Sequence, residues 1–469
     1  MVAMRLRSPR LTVAGLGGDS GKTLVSLGLV RALADRGLEV RTAKKGPDYI
    51  DASWLRAASG ADCVNLDSFL MSDEGIGSGV WALRGADLIL VEGNRGLFDG
   101  VDPDGTHSTA ELAKRLGSPV VLVVDTTKMT RTAAALVLGC RELDPDLELA
   151  AVVLNRVGTG RQEDLVRRAI EGATGIPVVG AIPRLPGDDP LPGRHLGLVT
   201  AAEHPRCEEA IRRAAEAVSR HVELDRITAV ARRAPAVELP LLRLEIEPVR
   251  CRLGYFTDQA FSFYYPENLQ CLAKHGAELV GVEPQTESRL PDIDGLYIGG
   301  GFPEVYAGQL ANNRELAADL KRRVSSGLPV YAECGGLMYL ARELVVGDST
   351  YPMAGVLDLV VEQTSRPQGH GYEVASADID NPFVEPGTML TGHEFHYSRV
   401  VAGSDARETV LKVRRGTGLG DGRDGIVKGR VWASYLHLHA LATPGWAVGF
   451  LELAAQHAVE RAGSAVAWA

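Results

Sequence analysis
The chain reads as an α/β protein made of two units, each built around a parallel sheet. Three observations predict this. Short, apolar, β-branched runs alternate with longer helical patterns in the N-terminal half. A stretch rich in proline and glycine interrupts the pattern after Pro183. A second strand–helix alternation opens at Cys251. Strands separated by helices pair in parallel and bind ligands where their carboxyl ends gather.

In chain order, 11–14, 40–43, 88–91, 120–124 and 151–154 read as buried strands, with helices at 24–36 and 133–143. Residues 183–197 carry four prolines and three glycines without a clear period. A helical stretch follows at 207–222. Residues 231–248, with Pro235, Pro240 and Pro248, read as extended. The second unit's strands fall at 251–255, 278–282, 295–298 and 328–332. The expected division is 1–225, a linker at 226–248, and 249–469, with the boundary near residue 245.

The 469 residues are enough for two or three domains, at roughly 100–200 residues each. With 45% apolar and 23% charged residues, the composition is that of an ordinary globular protein. A formal charge of −10 argues against non-specific binding to nucleic acid or an anionic membrane. No apolar run approaches the ~20 residues that span a bilayer. Cysteines at 63, 140, 207, 251, 271 and 334 form no CxxC pair. That pattern fits a reducing cytoplasm and excludes a disulfide scaffold or zinc ribbon.

The first chemical constellation is Gly15-Leu16-Gly17-Gly18-Asp19-Ser20-Gly21-Lys22-Thr23, between a strand and a helix. Glycines let backbone amides curl around phosphates, and the helix N-terminus adds positive charge. Gly15, Gly18, Gly21 and Lys22 are the expected ATP contacts, and the Thr23 hydroxyl is an expected Mg²⁺ ligand. The first glycine stands at 15, one residue further out than usual, because position 16 is leucine. Two acidic segments follow strand ends: Lys44-Lys45-Gly46-Pro47-Asp48-Tyr49-Ile50-Asp51 and Glu92-Gly93-Asn94-Arg95-Gly96-Leu97-Phe98-Asp99-Gly100. Carboxylates beside a triphosphate serve as Mg²⁺ ligands, so Asp48 and Glu92 join Thr23 as expected ligands. Helix capping is the plainer role for Asp48 and Asp51. Asp125 and Asn155-Arg156, also at strand ends, are further candidates for nucleotide contact.

The second constellation is Val330-Tyr331-Ala332-Glu333-Cys334-Gly335-Gly336-Leu337, a strand, a sharp turn and a helix. Small residues around a cysteine suit a strained nucleophile elbow, and a helix N-terminus favours thiolate. Gly299-Gly300-Gly301 ends another strand and offers bare amides for an oxyanion hole, with Gly335 as a third donor. In Tyr435-Leu436-His437-Leu438-His439 an imidazole is available as base; His437 is preferred and His439 held in reserve. A lone cysteine is usually only a small buried hydrophobe, but the combination points to catalysis. His393-x-x-His396 lacks zinc-site spacing. Tyr264-Tyr265 suits either stacking on a flat ligand or burial.

These segments carry a resemblance. The loop with Gly15 six residues ahead of Gly21 resembles the dethiobiotin-synthetase-like branch of P-loop proteins. The Cys334 segment resembles a class I glutamine amidotransferase domain. Gly-Pro-Asp-Tyr-Ile-Asp at 46–51, the 92–100 segment, Phe-Tyr-Tyr at 263–265, Gly-Gly-Gly-Phe-Pro-Glu at 299–304 and Gly-His-Glu-Phe-His-Tyr-Ser at 392–398 complete the set. Together they resemble cobyrinic acid a,c-diamide synthases over nearly the whole chain. The resemblance implies a cytoplasmic ligase that takes L-glutamine, ATP and Mg²⁺ and converts the a and c acetates of a tetrapyrrole polycarboxylate to amides. Cys334 would form a glutamyl thioester and release ammonia, with His437 as base. The other unit would phosphorylate the substrate carboxylate, with Asp51 and Asp99 assisting its activation, and ammonia would reach it under cover. A homodimer is the expected assembly.

Position 332 is alanine where many relatives of the glutaminase have glycine, and His439 stands where many have glutamate. The third member of a Cys–His triad therefore stays open. The stretch 44–55 resembles relatives proposed to act on sirohydrochlorin or sirohaem, so the macrocycle stays open too. Cobyric acid synthase couples the same domain types, but its relatives usually lack the 46–51 segment. A P-loop ATPase switch with an idle glutaminase domain is the alternative of another class.

Overall fold
The computed structural model describes residues 2–185, 193–194, 197–243 and 248–467. Part of the proline- and glycine-rich stretch, 186–192 and 195–196, lies outside the described residues. The chain divides into two compact units, Met1–Leu242 and Arg243–Ala469.

The first unit is built on a seven-stranded parallel sheet. Its spatial order is Cys63–Leu66, Val40–Lys45, Leu88–Glu92, Arg10–Gly15, Val120–Asp125, Leu149–Val157 and Val178–Pro183. The α/β class predicted from strand–helix alternation is borne out. The strands read as continuous apolar runs because helices cover both faces. The first of these strands, Arg10–Gly15, lies centrally, between Leu88–Glu92 and Val120–Asp125. From it the chain passes to Val40–Lys45 and the edge strand Cys63–Leu66, returns to Leu88–Glu92, and then crosses to build the other side outward from Val120–Asp125. The carboxyl end of that strand is thus the topological switch point, where a crevice opens.

The helix Lys22–Ala34 leaves this point and packs on the helix Cys207–His221. Gly28 permits the approach: a methyl group there would lie 2.6 Å from the Ala214 carbonyl oxygen. The segment expected as a linker is structured in large part. It holds the helix Leu224–Arg232 and the strand Val237–Leu241, which pairs antiparallel with Val2–Leu6. Pro240 fits here because the ribbon has only two strands, and an edge strand tolerates the missing N–H.

The second unit has a nine-stranded mixed sheet. Its parallel part runs Ala277–Val282, Cys251–Phe256, Gly295–Ile298, Val330–Glu333 and Val431–Ser434. Arg423–Lys428, Thr409–Arg415, Gly369–Ala377 and Met389–His396 extend it antiparallel. A four-stranded sheet lies apart from it. Alternation splits the parallel strands between two cores. Ile298, Val330, Ala332 and Ala433 enter one, while Tyr297, Tyr331 and Trp432 enter the other. Tyr331 and Trp432 stack with ring centroids 5.9 Å apart. No described helix is long and apolar enough to cross a membrane.

Candidate active sites
In the first unit the loop 15–21 follows the central strand. Leu97 N–H donates to the Gly15 carbonyl at 2.7 Å, tying the 92–100 segment to the loop's start. Gly21, at φ 90°, caps the helix Lys22–Ala34. A methyl group there would lie 2.0 Å from Asn155 Nδ2, so the position needs glycine for space as well as dihedral. Asn155 donates to the Ser20 carbonyl at 3.0 Å, and Arg156 reaches the Asp19 carbonyl and Asp125 at 2.9 and 2.7 Å. These three strand-end residues brace the loop from outside. Lys22 Nζ folds back onto the Gly17 carbonyl at 2.9 Å, and burial, with Lys44 nearby, lowers its pKa.

Beside the loop lies a buried charge cluster. Lys44 is fully buried and spends three donors on Asp51 (2.5 Å), Glu92 (2.9 Å) and the Gly93 carbonyl (3.1 Å). Burial works against its charge, but Asp51 and Glu92 outweigh that and hold its pKa above the ordinary lysine value. Glu92 Oε1 also accepts from the Thr23 hydroxyl at 3.0 Å. Its Oε2 is buried without a hydrogen-bond partner among the described residues. Burial pushes the Glu92 carboxyl up. A hydroxyl and an unsatisfied carboxylate oxygen beside a phosphate loop suit Mg²⁺, a hard cation that takes few protein ligands.

Asp48, the other expected ligand, also has a structural task. Its Oδ1 accepts from Ile50 N–H and Asp51 N–H, each at 2.9 Å, and so caps the helix Tyr49–Ser59. Its carboxyl is pushed up to about 7 by burial and by Asp51. Asp51 meets Lys44. Asp99 closes its own turn by accepting from Gly96 N–H at 2.7 Å. Lys44 is the residue that sequence reasoning passed over. The available signal was a lysine at a strand end, two residues before a glycine-proline-aspartate turn.

In the second unit Cys334 stands between the strand Val330–Glu333 and the helix Gly335–Leu340 with φ 47° and ψ −99°, strained for a non-glycine residue. Its N–H donates to the Ser434 carbonyl at 2.7 Å. The glycines of the turn are forced by proximity. A methyl on Gly335 would lie 3.0 Å from Gly301 N, and one on Gly336 2.4 Å from the Ile298 carbonyl oxygen. A methyl on Gly300 would lie 2.7 Å from His437 Cε1 and 3.3 Å from its Nε2. Gly300, Gly301, Gly335 and His437 therefore converge around the elbow.

His437 turns its Nδ1 toward Glu333 Oε2 at 3.4 Å and stacks on His393 with centroids 4.9 Å apart. His439 faces elsewhere, against the Tyr265 ring at 4.3 Å and toward Glu267 at 3.5 Å. Tyr264 accepts from Gly299 N–H at 2.8 Å, and Tyr265 is buried. Burial raises the Cys334 thiol pKa above the ordinary value, with Glu304 adding to it. That is opposite to the direction expected from the helix N-terminus. The helix has only six residues, and enclosure of the sulfur outweighs its field. A thiol pushed up in this way calls for a neighbouring base.

Two family models match this chain. The CobQ/CobB/MinD/ParA nucleotide binding domain covers residues 11–199, and the CobB/CobQ-like glutamine amidotransferase domain covers 252–445. A protein of Magnetococcus marinus named cobyrinate a,c-diamide synthase is 41% identical over 95% of this chain and 97% of its own. One of Archaeoglobus fulgidus with the same name is also 41% identical, over 95% and 97%. The chain belongs to the cobyrinate a,c-diamide synthase family. With that family it is a glutamine-hydrolysing carbon–nitrogen ligase with a nucleotide-binding domain. A solved glutamine amidotransferase aligns at TM-score 0.34 and 24% identity, over 43% of this chain and 98% of that one.

Proposed function
We propose that this chain amidates the a and c acetates of cobyrinic or hydrogenobyrinic acid in turn, using ATP and glutamine in the cytoplasm. One observation carries the reading. A single chain holds both a strained cysteine beside His437 and a phosphate loop beside a buried acid cluster, along the full length of relatives named for that reaction.

At the thiol site, Cys334 gives its proton to His437 Nε2 and attacks the amide carbon of glutamine. A C–S bond forms, the C–N bond breaks, and the imidazolium returns the proton to the departing nitrogen, which leaves as ammonia. The amides of Gly300, Gly301 and Gly335 hold the negative oxygen of the intermediate. Water then cleaves the thioester to glutamate.

At the phosphate site, the backbone of residues 15–21 and Lys22 cradle the triphosphate. A substrate carboxylate attacks the γ-phosphorus and ADP leaves. Ammonia displaces phosphate from the acyl phosphate, giving the amide. Thr23 and Glu92 would hold Mg²⁺, which neutralises phosphate charge when bound. Asp51, paired with Lys44 at 2.5 Å, orients the reacting carboxylate's surroundings, and Asp99 shapes the loop that borders it. A homodimer is part of the proposal and is read by light scattering.

The test is a paired turnover assay. The protein receives ATP, Mg²⁺ and glutamine with cobyrinic (or hydrogenobyrinic) acid, or with sirohydrochlorin (or sirohaem), and products are resolved by mass spectrometry. Two successive carboxylate-to-amide conversions on the corrin support the proposal. Conversion of sirohydrochlorin alone moves it to the other macrocycle. No amide from either, with glutamine or ammonium, leaves the ATPase switch with an idle glutaminase.

A further inference from the structure
We infer that Glu333, the residue directly before the nucleophile, positions His437 and completes the triad that His439 leaves open. The inference rests on the reading of Cys334 as a glutaminase nucleophile. The position two residues after His437 is taken by His439, whose ring is committed to Tyr265 and Glu267. A different acid lies against His437. The strands Val330–Glu333 and Val431–Ser434 pair in parallel with Glu333 opposite Ser434. That register sets Glu333 beside the turn that carries His437.

The carboxylate is fully buried and held on both oxygens. Its Oε1 accepts from Leu438 N–H at 3.3 Å, and its Oε2 from the Tyr297 hydroxyl at 3.1 Å. Its Oε2 also lies 3.4 Å from His437 Nδ1. A carboxylate only accepts hydrogen bonds, so it selects the tautomer with the proton on Nδ1. The free Nε2 then lies on the Gly300 side, where the elbow is. Other ionisable groups around the imidazole, its acid and the thiol include Cys334, Tyr297 and Tyr331 against Glu333, Glu304 and Asp424 toward Cys334, His439, and the stacked His393. Burial and His437 itself keep His393 well below the usual histidine pKa, so it is a neutral neighbour. Glu333 takes no proton in the reaction. It holds the ring and stabilises the imidazolium formed when the thiol proton moves to Nε2.

The experiment compares the full-length wild type, Glu333→Gln and Glu333→Asp. Glutamine hydrolysis gives kcat and KM. Alkylation of Cys334 by iodoacetamide is followed against pH, and ammonium-supported amide formation reports on the other unit. Glutamine is isosteric with glutamate and can still accept from Leu438 N–H, but its amide N–H selects the wrong tautomer. We expect Glu333→Gln to lower kcat by about 10²–10⁴-fold with little change in KM. The alkylation profile should move to higher pH, and the ammonium reaction should persist. Glu333→Asp should fall between the two. A Glu333→Gln kcat within threefold of wild type, with an unmoved alkylation profile, overturns the inference. If Glu333→Gln also loses the ammonium reaction, Glu333→Asp decides: a fall of tenfold or so with ammonium activity intact supports the role, and an unchanged kcat overturns it. A wild type that hydrolyses no glutamine sinks the glutaminase reading itself; wild-type hydrolysis beside a full-rate Glu333→Gln sinks the positioning role alone.

Discussion

Replacing Lys44 by methionine removes the cation at the centre of the buried charge cluster while keeping most of its volume. Lys44 and Glu92 are essentially without solvent contact, and Asp51 is mostly covered. Loss of the ammonium leaves two carboxylates facing each other across a space it had neutralised. Breaking a buried pair by removing one partner costs about 3–5 kcal/mol, because the remaining charge is stranded. At roughly 2–4 °C per kcal/mol for a unit of this size, the melting transition of the first unit should fall by roughly 6–20 °C. The effect also has a sign in pH. Burial already raises the Glu92 carboxyl, and without Lys44 it rises further above its unfolded value. The folded variant then binds more protons than its unfolded chain, so its deficit is greatest above the raised pKa and shrinks as pH falls. Calorimetry of wild type and variant at pH 8 and pH 5 measures both quantities. A shift under about 2 °C at pH 8, or a deficit as large at pH 5 as at pH 8, would refute the reasoning.

Three further outcomes follow from the geometry. Cys334→Ser should remove glutamine-supported amide formation and leave ammonium-supported formation within about twofold, since the acid cluster lies in the other unit; equal loss of both in a product assay would contradict two separate chemistries. Gly300→Ala should displace the His437 ring and lower glutamine kcat by about 10²-fold, as expected of a base moved by about 1 Å, while ammonium turnover is retained; unchanged glutaminase kinetics would show that the ring does not need its present position. Burial pushes Asp424 up to about 6 and raises Glu373 beside it well above the ordinary carboxyl value. Carboxyls raised in the folded state favour folding at low pH and cost stability as pH climbs through their folded values. Glu373→Gln should therefore gain stability over wild type in urea unfolding at pH 8 relative to pH 5, and a pH-independent difference would argue against the pair.

The antiparallel half of the second unit was the least legible part of the fold. Gly371 interrupts the strand Gly369–Ala377, glycines at 416, 418, 420 and 422 crowd the connection between Thr409–Arg415 and Arg423–Lys428, and the strands carry charges such as Glu373 and Asp424 that a core strand seldom holds. The edge ribbon of Val2–Leu6 with Val237–Leu241 was hidden for another reason. Pro235 and Pro240 signal a break locally, and nothing within either segment announces a partner more than 230 residues away.

What the sequence by itself determined is local. Apolar β-branched runs specified the central strands, the glycine-rich turns at Gly15–Gly21 and Cys334–Gly336 marked where those strands had to end sharply, and residue types at these ends named the chemistry. Whole-chain similarity then agreed with the family those motifs resembled. The tertiary structure alone decided which side chains meet. Sheet order brought Lys44 against Glu92 from neighbouring strands. Strand register brought Glu333 to His437, 104 residues apart. Burial, not the helix terminus, set the direction of the Cys334 thiol. Periodicity records which face of an element is apolar; it carries no term for the neighbour across the sheet, and that neighbour decides each charge's partner and cost.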